Sequence, residues 1–236
     1  MQNAREQTLV RLAADSPELK RDLIYERLLH DIICRRIAPG SRIDEALIAE
    51  RYDAGRAGVR DALYRLSLEG LVTRRPRLGT FVTELSIFEL QQVFELRVQL
   101  EGQCAALAAE MATADEIRLI EDAFRDVDAI IAQRDFDALV KCDQAFHQAI
   151  ASASRNRWLL RVVTMLHNNA SRFWHFALPR RSMDALRTEM DFHLQVATAI
   201  KSRSADDARQ SMETVLRQFP STVTELLAAP AENDNH

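Results

Sequence analysis

The feature that most constrains the fold is an amphipathic segment at residues 56–69 that runs directly into Gly70. Its apolar residues recur at helical spacing, and a glycine commonly occupies the left-handed position where a helix ends. Two short segments typical of β-strands, 71–73 and 80–83, follow it and flank a basic turn at 74–79. This order predicts a helix followed at once by a small β-hairpin.

Two further helical segments precede this unit. Leucines and isoleucines recur at helical spacing from Leu19 to Ile33, and the turn pair Pro39–Gly40 must end that helix. A short helix is predicted at 45–51. The resulting order of helix, short helix, turn, helix and basic hairpin predicts a helix-turn-helix with a wing.

Charge is unevenly distributed along the chain. Residues 18–83 contain 13 Lys and Arg against 10 Asp and Glu, a net charge of +3, whereas the whole chain is −4 and the remainder −7. A helix of this motif fits the major groove of DNA, where arginine binds guanine through two hydrogen bonds. We therefore expect Arg56 and Arg60 to contact bases. The wing residues Arg74, Arg75, Arg77 and Gly79 are predicted to contact phosphates or the minor groove. The pattern leaves open an unrelated helical domain with a surface hairpin.

Five stretches of this region carry a family resemblance: 24–28 (IYERL), 37–43 (IAPGSRI), 48–50 (IAE), 59–66 (VRDALYRL) and 69–82 (EGLVTRRPRLGTFV). They resemble the winged helix of the GntR family of transcriptional regulators. Arg42, in the second stretch, is also predicted to contact DNA. The family usually has Ser-Arg-Thr-Pro-Val-Arg where this chain has GRAGVR at 55–60. Because two hydroxyl groups and a proline are missing, the operator sequence cannot be taken from relatives.

The remainder of the chain is predicted to be an all-α bundle. Capping boxes are expected at 86–89 and 113–116, with N-caps at Asp135 and Asn156. Helices are predicted at 87–111, 114–133, 137–153, 157–177, 183–202 and 205–227. The predicted fold is therefore mostly α, a winged helix-turn-helix followed by a helical bundle. The predicted organisation is an N-terminal tail at 1–17, a winged helix at 18–83, a linker at 84–88, the bundle at 89–227 and a C-terminal tail at 228–236.

One polar constellation stands out in the bundle. Asp143 and His147 are four residues apart, so they share one helix face, and their apolar neighbours indicate that this face points inward. His193 also lies in an apolar stretch. A carboxylate with imidazoles suits a divalent metal such as zinc. Spacing alone favours the simpler interpretation, a buried Asp143–His147 hydrogen-bonded pair with His193 elsewhere.

A second resemblance bears on this choice. Residues 94–101 (FELRVQLE), 105–109 (AALAA), 143–147 (DQAFH) and His193 resemble the FCD ligand-binding domain of one GntR branch. In its metal-binding members an Asp and three His hold the ion. The resemblance implies that Asp143, His147 and His193 are ligands of one divalent metal per chain and that Val215 stands at the fourth position. Three ligands can hold zinc with an open position, and His167 or His175 are possible substitutes.

The resemblance also implies an effector pocket. Arg97 matches an arginine that tends to point into it, the alternative being a surface ion pair with Glu101. Arg172 lies mid-helix among aromatic residues and is predicted to line the same cavity, the alternative being a side chain that extends to solvent.

The preferred interpretation is a cytoplasmic, homodimeric repressor, not an enzyme, that binds operator DNA and a small anionic metabolite. Three widely spaced cysteines without a CxxC pair favour a reducing compartment. No run of 18 apolar residues predicts a membrane span. Two alternatives remain: a metal-dependent hydrolase or lyase built on Asp143, His147 and His193, and an architectural DNA-binding protein without a ligand cavity.

Overall fold

The computed structural model describes residues 17–228, with side chains described for 19–219. Most of the two predicted terminal tails therefore lies outside the described residues. Pro17 and Ala228, which the prediction assigned to the tails, are both helical. The chain divides into two compact units after Glu84.

The first unit contains three helices and three short strands. They are α1 (Pro17–Ile33), β1 (Arg42–Ile43), α2 (Glu45–Arg51), α3 (Arg56–Leu68), β2 (Val72–Arg75) and β3 (Gly79–Val82). This is the predicted helix-turn-helix and wing, and the predicted fold class is confirmed.

The strands form an antiparallel sheet in the order β1–β3–β2. Val72 pairs with Val82 and Arg75 with Gly79, so β2 and β3 form the predicted hairpin. Strand β1 was not predicted, because two residues are too few to show a β pattern. It pairs Arg42 with Phe81 at the open edge of β3. The wing is therefore anchored to the chain that precedes the helix-turn-helix.

Helix α3 packs closely on α1. Its buried face consists of Val59, Ala62, Leu63 and Leu66. A Cβ atom at Gly58 would lie 2.7 Å from Cδ1 of Ile24, so the absent side chain lets the two helices approach. The opposite face of α3 stays exposed.

Helices are the only regular elements among the described residues of the second unit. Its elements are α4 (Ile87–Met111), α5 (Ala114–Asp122), α6 (Val127–Gln133), α7 (Phe136–Ala153), α8 (Arg157–Ala177), a 3₁₀ turn (Leu178–Arg180), α9 (Met183–Lys201) and α10 (Ala205–Ala228). Helix α4 contacts α7, α8, α9 and α10, which makes it the central helix of the bundle.

Side-chain caps define most helix starts in this unit. Thr113 and Glu116 form a complete capping box, and Ser86 accepts from the backbone N–H of Glu89. Asp135 and Asn156 accept from the first turns of α7 and α8, as predicted. Because α4 begins at Ile87, the last two residues of the predicted linker 84–88 are helical.

The single helix predicted at 114–133 is wrong. The chain breaks between α5 and α6, and the break places Phe124 in the core, with its ring centroid 5.1 Å from that of Phe146 and 5.3 Å from that of His193. Helical periodicity continues across the break, so the sequence pattern did not reveal it. Of the helices within residues 17–228, none combines the length and apolar character needed to cross a bilayer.

Candidate functional site

The structure brings the three predicted metal ligands together. Asp143 and His147 lie one turn apart on α7, and His193 lies on α9; all three are buried. Nε2 of His193 is 3.3 Å and Nε2 of His147 is 3.5 Å from Oδ1 of Asp143. One ligand atom from each residue lies within 4.8 Å of the others.

Both imidazoles are oriented by a partner on their other nitrogen. Nδ1 of His147 lies 2.5 Å from Oε2 of Glu101 on α4. Nδ1 of His193 donates to the backbone carbonyl of Glu189 at 2.8 Å. Metal-binding histidines are commonly held in this way, since a hydrogen-bonded Nδ1–H leaves the Nε2 lone pair for the ion. Both Nε2 atoms therefore face the Asp143 carboxylate.

The carboxylate of Asp143 has its own outer partner. Nε2 of His167 on α8 donates to Oδ2 of Asp143 at 2.9 Å, which leaves Oδ1 to the other two rings. Burial lowers the pKa of His167. Of the two suggested substitute ligands, His167 thus lies beside the site as a hydrogen-bond donor. His175 bonds Asp137 at 3.0 Å instead.

Charge within the cluster is strongly coupled. Burial alone would raise the pKa of Glu101, but Arg97 and His147 lower it to about 2. Burial alone would lower the pKa of His147, but Glu101 and Asp143 raise it to about 9. The pKa of Asp143 is held well below its usual range against burial, by His147 and by hydrogen bonds from the three imidazoles. Both carboxylates are therefore ionised, as a cation site requires.

The cluster borders a cavity. Arg97 and Val215 line it together with Asp143, His147 and His193. Nε of Arg97 donates to Oε1 of Glu101 at 2.5 Å, so the ion pair considered as the alternative also exists, but it is buried rather than at the surface.

Arg172 behaves differently. It is buried on α8, but it is not among the described residues that line this cavity, so neither a lining position nor extension to solvent describes it.

A second pocket adjoins the first and shares Glu189, Val215 and Phe219 with it. Arg181 and Thr188 are among its other lining residues. The carboxylate of Glu189 accepts from Trp174 Nε1 at 3.0 Å and from Arg181 Nη1 at 2.5 Å. Polar groups therefore line the pocket on the far side of Val215.

The donor set fits a divalent transition metal. One carboxylate oxygen and two imidazole nitrogens are the ligands that zinc prefers, and three protein ligands are typical of sites with an open position. Val215 has no donor atom and faces the cavity at the position where the resemblance placed a fourth ligand. The orienting roles of Glu101, His167 and Glu189 were not predicted.

The first unit contains the predicted DNA-binding residues. Arg56 and Arg60 are exposed on the first turns of α3, whose N-cap Gly55 offers no side chain. Nε of Arg60 donates to Oε2 of Glu45, the first residue of α2, at 2.8 Å. Tyr64 extends the exposed stripe by one more turn.

The remaining predicted contacts lie on the wing. Arg74 and Arg75 are exposed on β2, and Arg75 stacks over the ring of Phe81 at 4.6 Å. Arg77 lies in the turn with a left-handed φ of 65°. At Gly79 φ is 112°, and a Cβ atom would lie 3.1 Å from Nε of Arg42. Arg42 is thus packed beside the turn of the wing.

A winged helix-turn-helix joined to a helical bundle is the architecture of a DNA-binding transcriptional regulator. Two family models match the chain: "Bacterial regulatory proteins, gntR family" over residues 20–82 and "FCD domain" over residues 92–218. The chain belongs to the GntR family, in the branch that carries an FCD domain.

Curated relatives agree with this assignment. The chain is 24% identical over 203 residues to the HTH-type transcriptional repressor RspR of Escherichia coli, with 86% of this chain and 88% of RspR covered. It is 32% identical over 139 residues to the HTH-type transcriptional regulator LutR of Bacillus subtilis, covering 52% and 63% of the two chains.

A solved structure shares the fold. E. coli McbR/YncC superposes with a TM-score of 0.80 at 19% identity, covering 88% of this chain and 98% of that chain. Since the family and the curated relatives are transcriptional regulators, the hydrolase or lyase alternative is not supported.

Proposed function

We propose that this regulator is a homodimeric, cytoplasmic repressor whose DNA affinity is controlled by a small carboxylate-bearing metabolite bound at a zinc centre. The observation that carries the proposal is the orientation of the ligand atoms. Both Nε2 atoms face Oδ1 of Asp143, while Glu101 and the Glu189 carbonyl hold the two Nδ1 atoms. A cavity beside these ligands argues against an architectural protein without a ligand.

Asp143, His147 and His193 would hold the metal. Bound zinc supplies a concentrated positive charge at the cavity wall, which attracts a carboxylate. Val215 leaves a coordination position for the metabolite rather than for the protein. Arg97, whose Nε is bound to Glu101, lines the same cavity and would contact the other end of the anion.

Arg56 and Arg60 would contact base edges from the start of α3. Arg42, Arg74, Arg75, Arg77 and Gly79 would contact the DNA backbone or the minor groove around the wing. A two-fold dimer matches the symmetry of palindromic half-sites. Repression is supported by the name of RspR, which is a transcriptional repressor. Effector binding is expected to change DNA affinity by about 1–3 kcal/mol, a typical coupling free energy.

The test is elemental analysis of untagged protein after incubation with zinc and exhaustive desalting. We expect about one zinc per chain, and loss of it in His193→Ala and Asp143→Ala. The matched control is His175→Ala, which removes a half-buried histidine that bonds Asp137 rather than Asp143. Less than about a tenth of an equivalent in the parent protein would contradict the metal centre.

The effector is tested on the same samples. Thermal shift with a panel of mono- and dicarboxylates should show stabilisation that depends on zinc, since any ligand that binds only the folded state raises its stability. The stabilising compound should then alter binding to an operator obtained by selection from random DNA. Stabilisation of equal size in zinc-free protein would contradict a metal-bound effector.

A further inference from the structure

Glu45 and Arg60 form an ion pair across the helix-turn-helix. Oε2 of Glu45, on the first turn of α2, accepts from Nε of Arg60, on α3, at 2.8 Å. The side chain of Arg60 is 63% exposed and that of Glu45 is 31% exposed. Exposed ion pairs stabilise folded proteins little. The pair therefore calls for an explanation other than stability.

We propose that Glu45 is a positioning residue that sets the DNA specificity of the chain by holding the guanidinium of Arg60. The proposal rests on the proposed role of Arg60 in contacting bases. It assigns to an acidic residue of α2 a function in sequence discrimination, in addition to the contacts made by the arginines themselves.

The geometry of the guanidinium supports this role. Arginine has five N–H groups, one on Nε and four on the two terminal nitrogens. Because Nε is bound to Glu45, the terminal pair is left for the O6 and N7 atoms of guanine. An arginine without such a partner loses side-chain rotamer entropy when it binds a base. Holding the Arg60 side chain before binding reduces this loss for the matching base. Glu45 therefore restricts Arg60 to one way of contacting a base.

Glu45 is itself held in place. It is the first residue of α2, where the helix dipole favours a negative charge. The preceding residue, Asp44, caps the helix by accepting from the backbone N–H groups of Ala46 and Leu47. The pKa of Asp44 is lowered mainly by these two bonds and further by Arg42 and Arg56. The start of α2 thus presents two carboxylates close to arginines of the DNA-binding face.

The charge of Glu45 adds a second effect. A carboxylate beside Arg60 repels phosphate oxygens, so it weakens binding to DNA of arbitrary sequence more than binding to the matching site. Without Glu45, Arg60 becomes free to contact phosphates. That change would raise non-specific affinity and steepen the dependence of binding on salt.

The test measures binding of the full chain by fluorescence anisotropy. The duplexes are a selected operator, single base-pair variants of it and an unrelated sequence. For Glu45→Ala we expect discrimination at one base pair per half-site to fall roughly tenfold, the lower part of what one bidentate contact contributes. Affinity for the unrelated duplex should rise, and the salt slope should increase by about one. Glu45→Gln should keep most of the discrimination, because its amide oxygen still accepts from Nε.

The charge-matched control is Glu50→Ala, which removes an exposed carboxylate from the same helix. It should leave discrimination unchanged, and an effect as large as that of Glu45→Ala would overturn the proposal. Arg60→Ala separates the two levels of the argument. If it leaves discrimination unchanged, the role of Arg60 in contacting bases is wrong and the inference fails with it. If Arg60→Ala removes discrimination and Glu45→Ala does not, only the inference on Glu45 fails.

Discussion

Oδ1 of Asp143 lies 3.3 Å from Nε2 of His193, on a helix distant in sequence. The second oxygen of the same carboxylate accepts from His167 at 2.9 Å. The two oxygens therefore have different surroundings, one facing imidazole nitrogens and the other fixed by a neutral donor. This asymmetry is expected of a carboxylate that binds a metal through one oxygen.

Removing the charge of Glu101 should weaken zinc binding. Glu101→Gln no longer offers His147 a carboxylate, and loss of such an orienting partner typically lowers metal affinity about 10–100-fold. Competition with a chromophoric chelator measures the change. Glu95→Gln, an exposed site on the same helix α4, is the control and should match the parent protein. If Glu101→Gln and Glu95→Gln bind zinc with equal affinity, Glu101 does not support the metal site.

Val215→His should close the open position. An imidazole at this cavity-lining residue is expected to raise zinc affinity by at least about tenfold and to reduce the zinc-dependent stabilisation by carboxylates. Val215→Leu adds bulk without a donor and serves as the control for steric exclusion. The same chelator competition and thermal shift measure both effects. If Val215→His leaves zinc affinity unchanged, the open coordination position does not face residue 215.

Substitution of arginines on α3 and of arginines on the wing should change DNA binding in different ways. Arg56→Ala and Arg60→Ala are each expected to weaken specific binding by about 1–3 kcal/mol and to change base preference at one position per half-site. Arg75→Ala and Arg77→Ala should weaken binding to all sequences and reduce its salt dependence. Binding titrations at several salt concentrations distinguish the two patterns. Operator affinity unchanged in Arg60→Ala at physiological salt would contradict the assignment of α3.

Asp31 should matter for stability rather than for DNA contact. This buried residue accepts from Tyr52 at 2.7 Å and pairs with Arg36 and Arg51. Asp31→Ala is expected to cost about 2 kcal/mol, the range for hydrogen bonds to a charged group. Tyr52→Phe removes one of these bonds and should cost less.

The effect of Asp31→Ala can be assigned to one unit because the tryptophans report on the other. Both tryptophans, Trp158 and Trp174, lie in the helical bundle. In Asp31→Ala, the urea midpoint followed by circular dichroism should therefore fall. The urea midpoint followed by tryptophan fluorescence should stay unchanged. An equal shift of the tryptophan transition would show that Asp31 does not act locally.

The sequence predicted those parts of the site that local spacing determines. Asp143 and His147 lie one helical turn apart, so their proximity follows from the helix itself. The proximity of His193 depends on how α9 packs on α4, α5 and α6, and family resemblance supplied it. Glu101 was considered only as a partner of Arg97, because the sequence does not show that its face of α4 points to the bundle centre. Its small neighbours Gly102 and Ala105 were the available signal.

The errors in the fold have similar causes. The break near Phe124 was missed because tertiary packing of one aromatic ring interrupts a helix whose periodicity continues. Strand β1 was missed because its only reason to be extended is the edge of β3. In both cases a distant partner decides the local conformation.

The spacing of the proposed metal ligands along the chain has a mechanical consequence. About 50 residues separate Asp143 from His193, so an ion held by both closes a long loop, as a disulfide would. Such a cross-link removes conformational entropy from the unfolded chain, and the entropy removed grows slowly with loop length. Zinc held by these residues would therefore stabilise the bundle against unfolding even with the cavity empty, and its removal would leave α7 and α9 without a cross-link.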